Sequence, residues 1–117
     1  FYAANIYPEH IHSALNDPKF LGKITGKFAL RKDYLKNKDQ FLEMNIELRP
    51  GVKPTATFAN TIGKHVVSQL LNVNMEYNFL WNNLDKDIRP RIVLRPYQDV
   101  VHFRPGLKPK YIIKETP

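Results

Sequence analysis

An alternating run near the middle of the chain constrains its fold more than any other feature. Between positions 42 and 48 the even positions hold Leu, Met, Ile and Leu, and the odd positions hold Glu, Asn and Glu. Successive side chains of a strand point to opposite faces, so this period of two predicts a β-strand with one apolar and one polar face. Residues 42–48 are therefore expected to form a strand whose apolar face is buried.

A Pro-Gly turn follows this strand, and nearly the same six residues return close to the end of the chain. Residues 49–54 read RPGVKP and residues 104–109 read RPGLKP. Pro-Gly favours a tight turn, because Pro fixes the first central dihedral and Gly accepts a positive φ at the second. The first copy is predicted to lead into two more strands, at residues 55–59 and 65–71, which complete an antiparallel meander. The similarity ends with the turns, so they are interpreted as separate turns and not as an internal repeat.

Helices are predicted before and after this meander. Asn72 or Asn74 can cap a helix that begins near Met75. An apolar stripe at helical spacing follows: Tyr77, Leu80, Trp81 and Leu84. A further helix is predicted at residues 27–37 and a first strand at residues 10–15. The predicted order is β-α-β-β-β-α, which makes a two-layer α/β sandwich with its first two strands in parallel.

The positive charge of the chain is concentrated near its end. The net charge is +7; residues 1–88 carry eleven Lys and Arg against nine Asp and Glu, and residues 89–117 carry seven against two. Five of the nine prolines also fall in residues 89–117. An extended basic arm is therefore expected there, suited to a phosphate backbone or to an acidic protein groove.

Composition and spacing argue against several classes of function. The chain has no cysteine, which removes disulfides, Cys-based zinc sites and thiol chemistry. No apolar run reaches the roughly 20 residues that span a bilayer, so no membrane insertion is expected. His10 and His12 lack an evident third metal ligand, and Glu43 and Glu47 are interpreted as the solvent face of a strand in preference to an acid/base pair. We expect no catalytic site, metal, cofactor or small-molecule substrate.

The chain resembles the small thioredoxin-like proteins shared by mitochondrial ribosomes and an accessory subunit of respiratory complex I. The resemblance covers about residues 10–85, through the patch LRKDY, the segment LEMNIELRPGVKPTATFANTIGKHVVSQLLNVN and the helix containing FLWNNL. It implies a thioredoxin-like domain, which with a short N-terminal extension would occupy residues 1–88 and be followed by the basic arm of residues 89–117. It also implies a cis-proline at Pro54 and a structural role in the mitochondrial matrix without redox chemistry. The chain lacks the cysteines that several members carry in the first loop, and the arm has no counterpart in the minimal fold.

Basic residues are the main candidates for a binding function. In GKITGK, Lys23 and Lys27 precede a predicted helix, where phosphate can rest, although the spacing is not that of a nucleotide-binding loop. Arginines of the arm alternate with aromatic residues, a mixture suited to folded RNA. The expected RNA contacts are Lys23, Lys27, Arg31, Lys32, Arg89, Arg91, Arg95, Arg104, Lys108 and Lys110.

The leading hypothesis is a non-catalytic structural constituent of the mitochondrial ribosome, with ribosomal RNA and neighbouring ribosomal proteins as partners. An accessory subunit of complex I is the first alternative; a small hydrolase or transferase and a free nucleic-acid-binding protein are the others. The arm can instead add a strand to a neighbour's sheet through residues 92–94 or 111–113.

Overall fold

The alternating run lies at the centre of the sheet. In the computed structural model, which describes residues 6–37, 39–84 and 87–104, the central strand has a neighbour on each side. The elements in chain order are α1 (Pro8–Leu15), α2 (Pro18–Leu21), β1 (Ile24–Tyr34), β2 (Gln40–Leu48), α3 (Ala56–Val73), α4 (Met75–Asn83) and β3 (Arg91–Arg95). The described residues thus form a compact mixed α/β domain with a three-strand mixed sheet and four helices.

The two neighbours of β2 run in opposite directions. β1 pairs with β2 antiparallel, from Ile24 opposite Leu48 to Tyr34 opposite Gln40, with an irregularity near Gly26, where φ is +93°. β3 pairs with β2 in parallel, with Arg91 opposite Glu43. A parallel neighbour requires a long crossover connection, and α3 and α4 supply it. The beginning of β1 and the ends of β2 and β3 therefore lie at the same end of the sheet.

Helices cover the apolar face of the sheet. The even-numbered positions of β2 from 42 to 48 are all buried, and Ile62, Val66 and Leu70 of α3 face them in the same core cluster. These three residues recur every fourth position, which places them on one side of a helix. The remaining buried members of the core cluster are Ile11, Ala14, Leu15, Phe20, Ile24, Phe28, Leu30, Tyr77 and Ile88.

The junction of α3 and α4 is fixed by a buried cap. The Asn74 side chain accepts a hydrogen bond from the Tyr77 backbone N–H at 2.9 Å. The Tyr77 ring is fully buried, and its hydroxyl donates to the Ile88 carbonyl oxygen at 2.9 Å. Burial of the ring, together with the nearby Asp87 carboxylate, raises the pKa of Tyr77, so the hydroxyl keeps its proton as a donor. Tyr77 therefore joins α4 to the segment that leads into β3.

Two of the predicted elements are confirmed. Residues 42–48 are strand, within Gln40–Leu48, and a helix begins at Met75 with Asn74, not Asn72, as its cap. The apolar stripe of that helix is only partly buried: Tyr77 is inside, whereas Trp81 is 39% exposed. The predicted turn at residues 49–54 is also present, since φ of Gly51 is +79°.

Four other predicted elements have the wrong type of secondary structure. The helix predicted at residues 27–37 is not formed: residues 27–34 lie in β1, because pairing with β2 buries Phe28 and Leu30 on one face, and residues 35–37 follow the strand. Residues 55–59 and 65–71 form no hairpin strands but belong to the single helix α3. Residues 10–15 are helix α1, not a strand, so His10 and His12 do not share the face that a strand would give them. The element order β-α-β-β-β-α is therefore wrong, and a thioredoxin-like arrangement is not confirmed.

The end of the chain and Pro54 also differ from expectation. β3 belongs to the sheet, so the boundary predicted between residues 88 and 89 falls inside the folded unit. No cis peptide bond occurs among the described residues, so the bond before Pro54 is trans; with no hairpin there, Pro54 leads instead into Thr55, the cap of α3. Residues 105–117, which include most of the second turn and the end of the arm, lie outside the described residues. No helix in the described part is long and apolar enough to cross a bilayer.

Candidate functional site

The face of the sheet opposite the helices, here called the outer face, carries a polar network. Its central residue is Glu43, whose Oε2 accepts a hydrogen bond from Arg31 Nη2 at 3.1 Å and whose Oε1 accepts from Asn45 Nδ2 at 3.0 Å. Arg95 Nη2 lies 3.9 Å from the same Oε1. Arg31 also pairs with Asp33 at 3.0 Å. β2 lies between β1 and β3, so one carboxylate of β2 reaches an arginine from each neighbour.

Asn45 continues this network in a fully buried position. Its Oδ1 accepts from Arg95 Nε at 2.8 Å, and its Nδ2 also donates to the Ala29 carbonyl oxygen at 3.3 Å. Because a buried amide must have partners, Asn45 fixes the position of the Arg95 side chain. Arg31 and Arg95, two of the expected RNA contacts, are therefore already engaged within the sheet.

Glu47 connects the sheet to the segment that follows β3. It is 1% exposed, and it accepts hydrogen bonds from the Thr25 hydroxyl at 2.7 Å and from the Gln98 backbone N–H at 2.9 Å. Further along the segment, Asp99 Oδ2 accepts from the His102 backbone N–H at 3.1 Å and lies 2.7 Å from His102 Nδ1. Because both oxygens of Glu47 accept hydrogen bonds, from Thr25 and from Gln98, Glu43 and Glu47 do not form an open pair of catalytic carboxylates.

The network sets the protonation of Glu43. Burial raises its pKa, but the hydrogen bonds from Asn45 and Arg31 and the charges of Arg31 and Arg95 outweigh burial and hold the pKa of Glu43 below its ordinary 4.5. A carboxyl with a lowered folded-state pKa stabilises the protein above its unfolded pKa, and that contribution disappears as the pH falls through the folded pKa.

Glu43→Gln is accordingly expected to destabilise the protein at about pH 7 by up to about 1 kcal/mol, since its arginine partners are a third exposed. The difference from wild type should shrink as the pH falls below about 4.5 and through the lower folded-state pKa of Glu43. Urea unfolding followed by circular dichroism at several pH values measures it. A difference that grew on acidification would contradict the charge network.

Five cations that are all exposed gather at the end of the sheet where β1 begins and β2 ends. We call them the basic end: Lys19, Lys23, Lys27, Arg49 and Lys53. The Arg49 backbone N–H donates to the Lys23 carbonyl oxygen at 2.8 Å, and the Arg49 side chain donates to the carbonyl oxygen of Leu21. Lys23 Nζ lies 5.0 Å from the centre of the Phe58 ring.

No carboxylate of the described residues forms an ion pair with these five side chains. The two acids close to them in the chain have other partners. Asp17 accepts from the Lys19 backbone N–H and lies 3.7 Å from His65 Nε2, while Glu47 is buried. The positive charge of the basic end is therefore left for solvent or for a ligand.

The expected RNA contacts are divided between the two ends of the sheet. Lys23 and Lys27 belong to the basic end, and Arg95 ends β3 at that same end. Lys32, Arg89 and Arg91 lie toward the opposite end; Arg89 pairs with Asp87 at 2.8 Å, and the Arg91 guanidinium stacks 4.2 Å above the Phe41 ring. Arg104 is exposed at the end of the described chain, and Lys108 and Lys110 lie outside it.

Sequence reasoning missed three residues of the basic end. Arg49 and Lys53 both belong to the turn segment RPGVKP, one on each side of Pro-Gly. Lys19 follows Pro18 in α2. The segment GKITGK contains only Lys23 and Lys27. The cations of the turn come close to them because β1 pairs with β2, and this pairing brings together residues that are distant in the sequence.

A groove of about 980 Å³ opens at the other end, between α3, α4 and the start of β3. Its apolar wall includes Val67 and Leu71 of α3, Ile92 of β3 and Trp81 of α4. Gly63 of α3 lies against β3, since a Cβ at this position would be in van der Waals contact with Ile92 Cγ1 at 3.4 Å. The cations Lys64, Arg89 and Arg91 and the acids Asp39 and Asp87 also line the groove.

The described residues contain no group of three His, Asp or Glu side chains that could hold a metal ion. The described residues present exposed cations at one end of the sheet and a groove with an apolar wall at the other. No protein-family model, curated protein or solved structure matches the chain.

Proposed function

We propose that this protein is a non-catalytic RNA-binding protein that rests its basic end on RNA phosphates. The observation that carries the proposal is the set of five exposed cations of the basic end, which form no ion pair with any described carboxylate. Cations that no internal carboxylate neutralises attract a phosphate backbone and release its counterions on binding. The proposal rests on charge and placement and does not require a thioredoxin-like arrangement.

The chain leaves β3 from a position beside the basic end. β3 runs parallel to β2, and the Gln98 backbone N–H is bonded to Glu47, so the segment after β3 starts beside the basic end. The sequence beyond Arg104 contains three more lysines and a single acid. Phosphate contacts of this kind position a protein on RNA without reading base sequence.

The mitochondrial ribosome is the setting that we propose for this activity, in the mitochondrial matrix and beside neighbouring ribosomal proteins. The proposal of this setting rests on the resemblance described above. Sedimentation of a mitochondrial lysate, with the chain followed by mass spectrometry, tests it. Co-migration with a ribosomal subunit that RNase abolishes supports the setting, whereas co-migration with complex I that survives RNase overturns it.

RNA binding itself is tested with two triple variants of equal net charge. Lys23→Gln, Lys27→Gln and Lys53→Gln remove three cations of the basic end. Lys32→Gln, Lys36→Gln and Lys64→Gln remove three exposed lysines elsewhere; Lys32 is an RNA contact expected from the sequence, but it lies away from the basic end. Titration of a fluorescent RNA hairpin, followed by anisotropy at several salt concentrations, gives the affinity and its salt dependence. We expect the basic-end variant to lose roughly tenfold in affinity and its salt slope to fall by about 2, and the control variant to change little.

Equal losses in the two variants would show that only net charge matters and would overturn the assignment of the basic end. Absence of salt-dependent binding by the wild type would overturn RNA binding altogether. Thermal unfolding of each variant confirms that the lost affinity does not come from lost structure.

A further inference from the structure

A loop directly after β3 carries three exposed apolar side chains. A backbone hydrogen bond of 3.1 Å closes a tight turn at residues 96–99, and Tyr97 and Gln98 occupy its two corner positions. Tyr97 is 45% exposed, and Val100 and Val101 are 71% and 77% exposed. They are three of the ten large apolar side chains that are exposed in the described part of the chain. Such a concentration within five residues indicates a contact surface.

The loop is held in one conformation although part of its backbone is unfavourable. Among the described residues other than glycine, Gln98 alone has a positive φ, of +55°. Its backbone N–H is bonded to the buried Glu47 carboxylate at 2.9 Å. Further along, Asp99 Oδ2 accepts from the His102 backbone N–H at 3.1 Å, and the Phe103 ring is buried. Unfavourable backbone that the surrounding structure holds in place occurs often at binding sites, so the loop is a candidate site.

Three hydrogen bonds connect this loop to the basic end. The Gln98 backbone N–H donates to one oxygen of Glu47, and the Thr25 hydroxyl donates to the other at 2.7 Å. The Thr25 hydroxyl oxygen in turn accepts from the Lys27 backbone N–H at 3.2 Å. The exposed ring of Tyr97, next to Gln98, and the cations of the basic end therefore lie at the same end of the sheet.

We propose that the loop of residues 96–101 binds unpaired bases of an RNA whose phosphates rest on the basic end, an inference that rests on the function proposed above. One base stacks on the Tyr97 ring, and the sugar and base edges of its neighbour contact Val100 and Val101. Aromatic rings stack on every base, so the loop selects unpaired RNA without selecting a sequence. Paired bases are stacked inside their own helix and present no free face to the ring.

An anionic membrane surface also attracts cations that lie beside apolar side chains. One tyrosine and two valines bury too little apolar area for stable anchoring, because even a single acyl chain binds a membrane only marginally. Unpaired RNA is therefore the ligand that these residues fit better.

Tyr97→Ala in the full chain tests the proposal, with Tyr34→Ala as its matched control. Tyr34 is 50% exposed and lies at the opposite end of the sheet, where β1 ends. The probes are a fluorescent twelve-nucleotide oligouridine and an RNA duplex of twelve base pairs, each titrated by anisotropy at several salt concentrations. We expect Tyr97→Ala to weaken oligouridine binding about five- to tenfold, within the range for one stacked base. Duplex binding should change little, and so should both affinities of Tyr34→Ala.

Two further readouts separate stacking from charge. Tyr97→Phe should bind oligouridine like the wild type, because it keeps the ring. The salt slope of Tyr97→Ala should equal that of the wild type, since no phosphate contact is lost. The Lys23, Lys27 and Lys53 triple variant lowers that slope, so loss of stacking is distinguishable from loss of the basic end.

Equal losses in Tyr97→Ala and Tyr34→Ala, or equal losses on oligouridine and duplex, would overturn the stacking site and leave the basic end in place. Absence of salt-dependent binding to both RNAs would overturn the proposed function together with this inference. Binding to vesicles of phosphatidylcholine and phosphatidylglycerol that Tyr97→Ala abolishes, with oligouridine binding unchanged, would assign the loop to a membrane surface instead. Circular dichroism of each variant shows whether the fold is intact.

Discussion

Replacing Tyr77 with alanine is expected to lower the free energy of unfolding by about 3–5 kcal/mol, the range for deleting a fully buried aromatic ring. The ring is 0% exposed and belongs to the main core cluster, and its hydroxyl bonds to the Ile88 carbonyl oxygen. The variant therefore loses apolar contacts and leaves a cavity between α4 and the approach to β3. Urea unfolding followed by circular dichroism measures the loss.

Two further variants divide this effect. Tyr77→Phe keeps the ring but leaves the buried Ile88 carbonyl without its donor, at a cost of about 1–3 kcal/mol. Phe79→Ala removes an aromatic ring from the same helix at a position 65% exposed, and should change stability by under about 0.5 kcal/mol. Comparable losses in the Phe79 and Tyr77 alanine variants would show that burial of the Tyr77 ring does not control the result.

Replacing Glu47 with alanine is expected to destabilise the protein by about 2–4 kcal/mol, since hydrogen bonds to charged groups contribute more than neutral ones. The carboxylate accepts from Thr25 and Gln98, and both donors would lose their acceptor in a part-buried position. Because Gln98 lies beyond β3, the loss should also loosen the segment that starts beside the basic end.

Glu47→Gln is the matched variant. Its amide can still accept from one donor but not from both, so about half of the loss should remain. Amide hydrogen exchange provides the local measurement: the Gln98 N–H should exchange faster in Glu47→Ala than in wild type. Unchanged protection at Gln98 would show that the segment is held by other contacts.

The parts of the fold that could be predicted depend on local chemistry. The period of two in residues 42–48, the cap at Asn74 and the positive φ at Gly51 each follow from a few adjacent residues. The errors arose where pairing or packing overrides local preference. In α3, valines and the Gly63 step suggested strands and a turn, but Ile62, Val66 and Leu70 pack as a helix on the sheet.

The candidate site could be predicted in part, because some of its cations are close together in the sequence. Lys23 and Lys27 were identified from GKITGK, and the structure adds Arg49 because its backbone bonds to Lys23 across the hairpin. Arg31 and Arg95 are far apart in sequence, and nothing local shows that Glu43 and Asn45 of the intervening strand engage them. The order of the strands decides which cations are left for a ligand, and that order cannot be inferred from a single sequence.

The parallel pairing of β3 with β2 also sets an order of assembly. The hairpin of β1 and β2 closes over a short turn, whereas β3 reaches β2 only after residues 49–90 have formed their loop, and closing long loops is slow. During synthesis, one edge of β2 therefore lacks its hydrogen-bonded neighbour until residues 91–95 have left the ribosome. A nascent or truncated chain that stops before β3 presents that edge to other chains, which makes it the species most prone to aggregate.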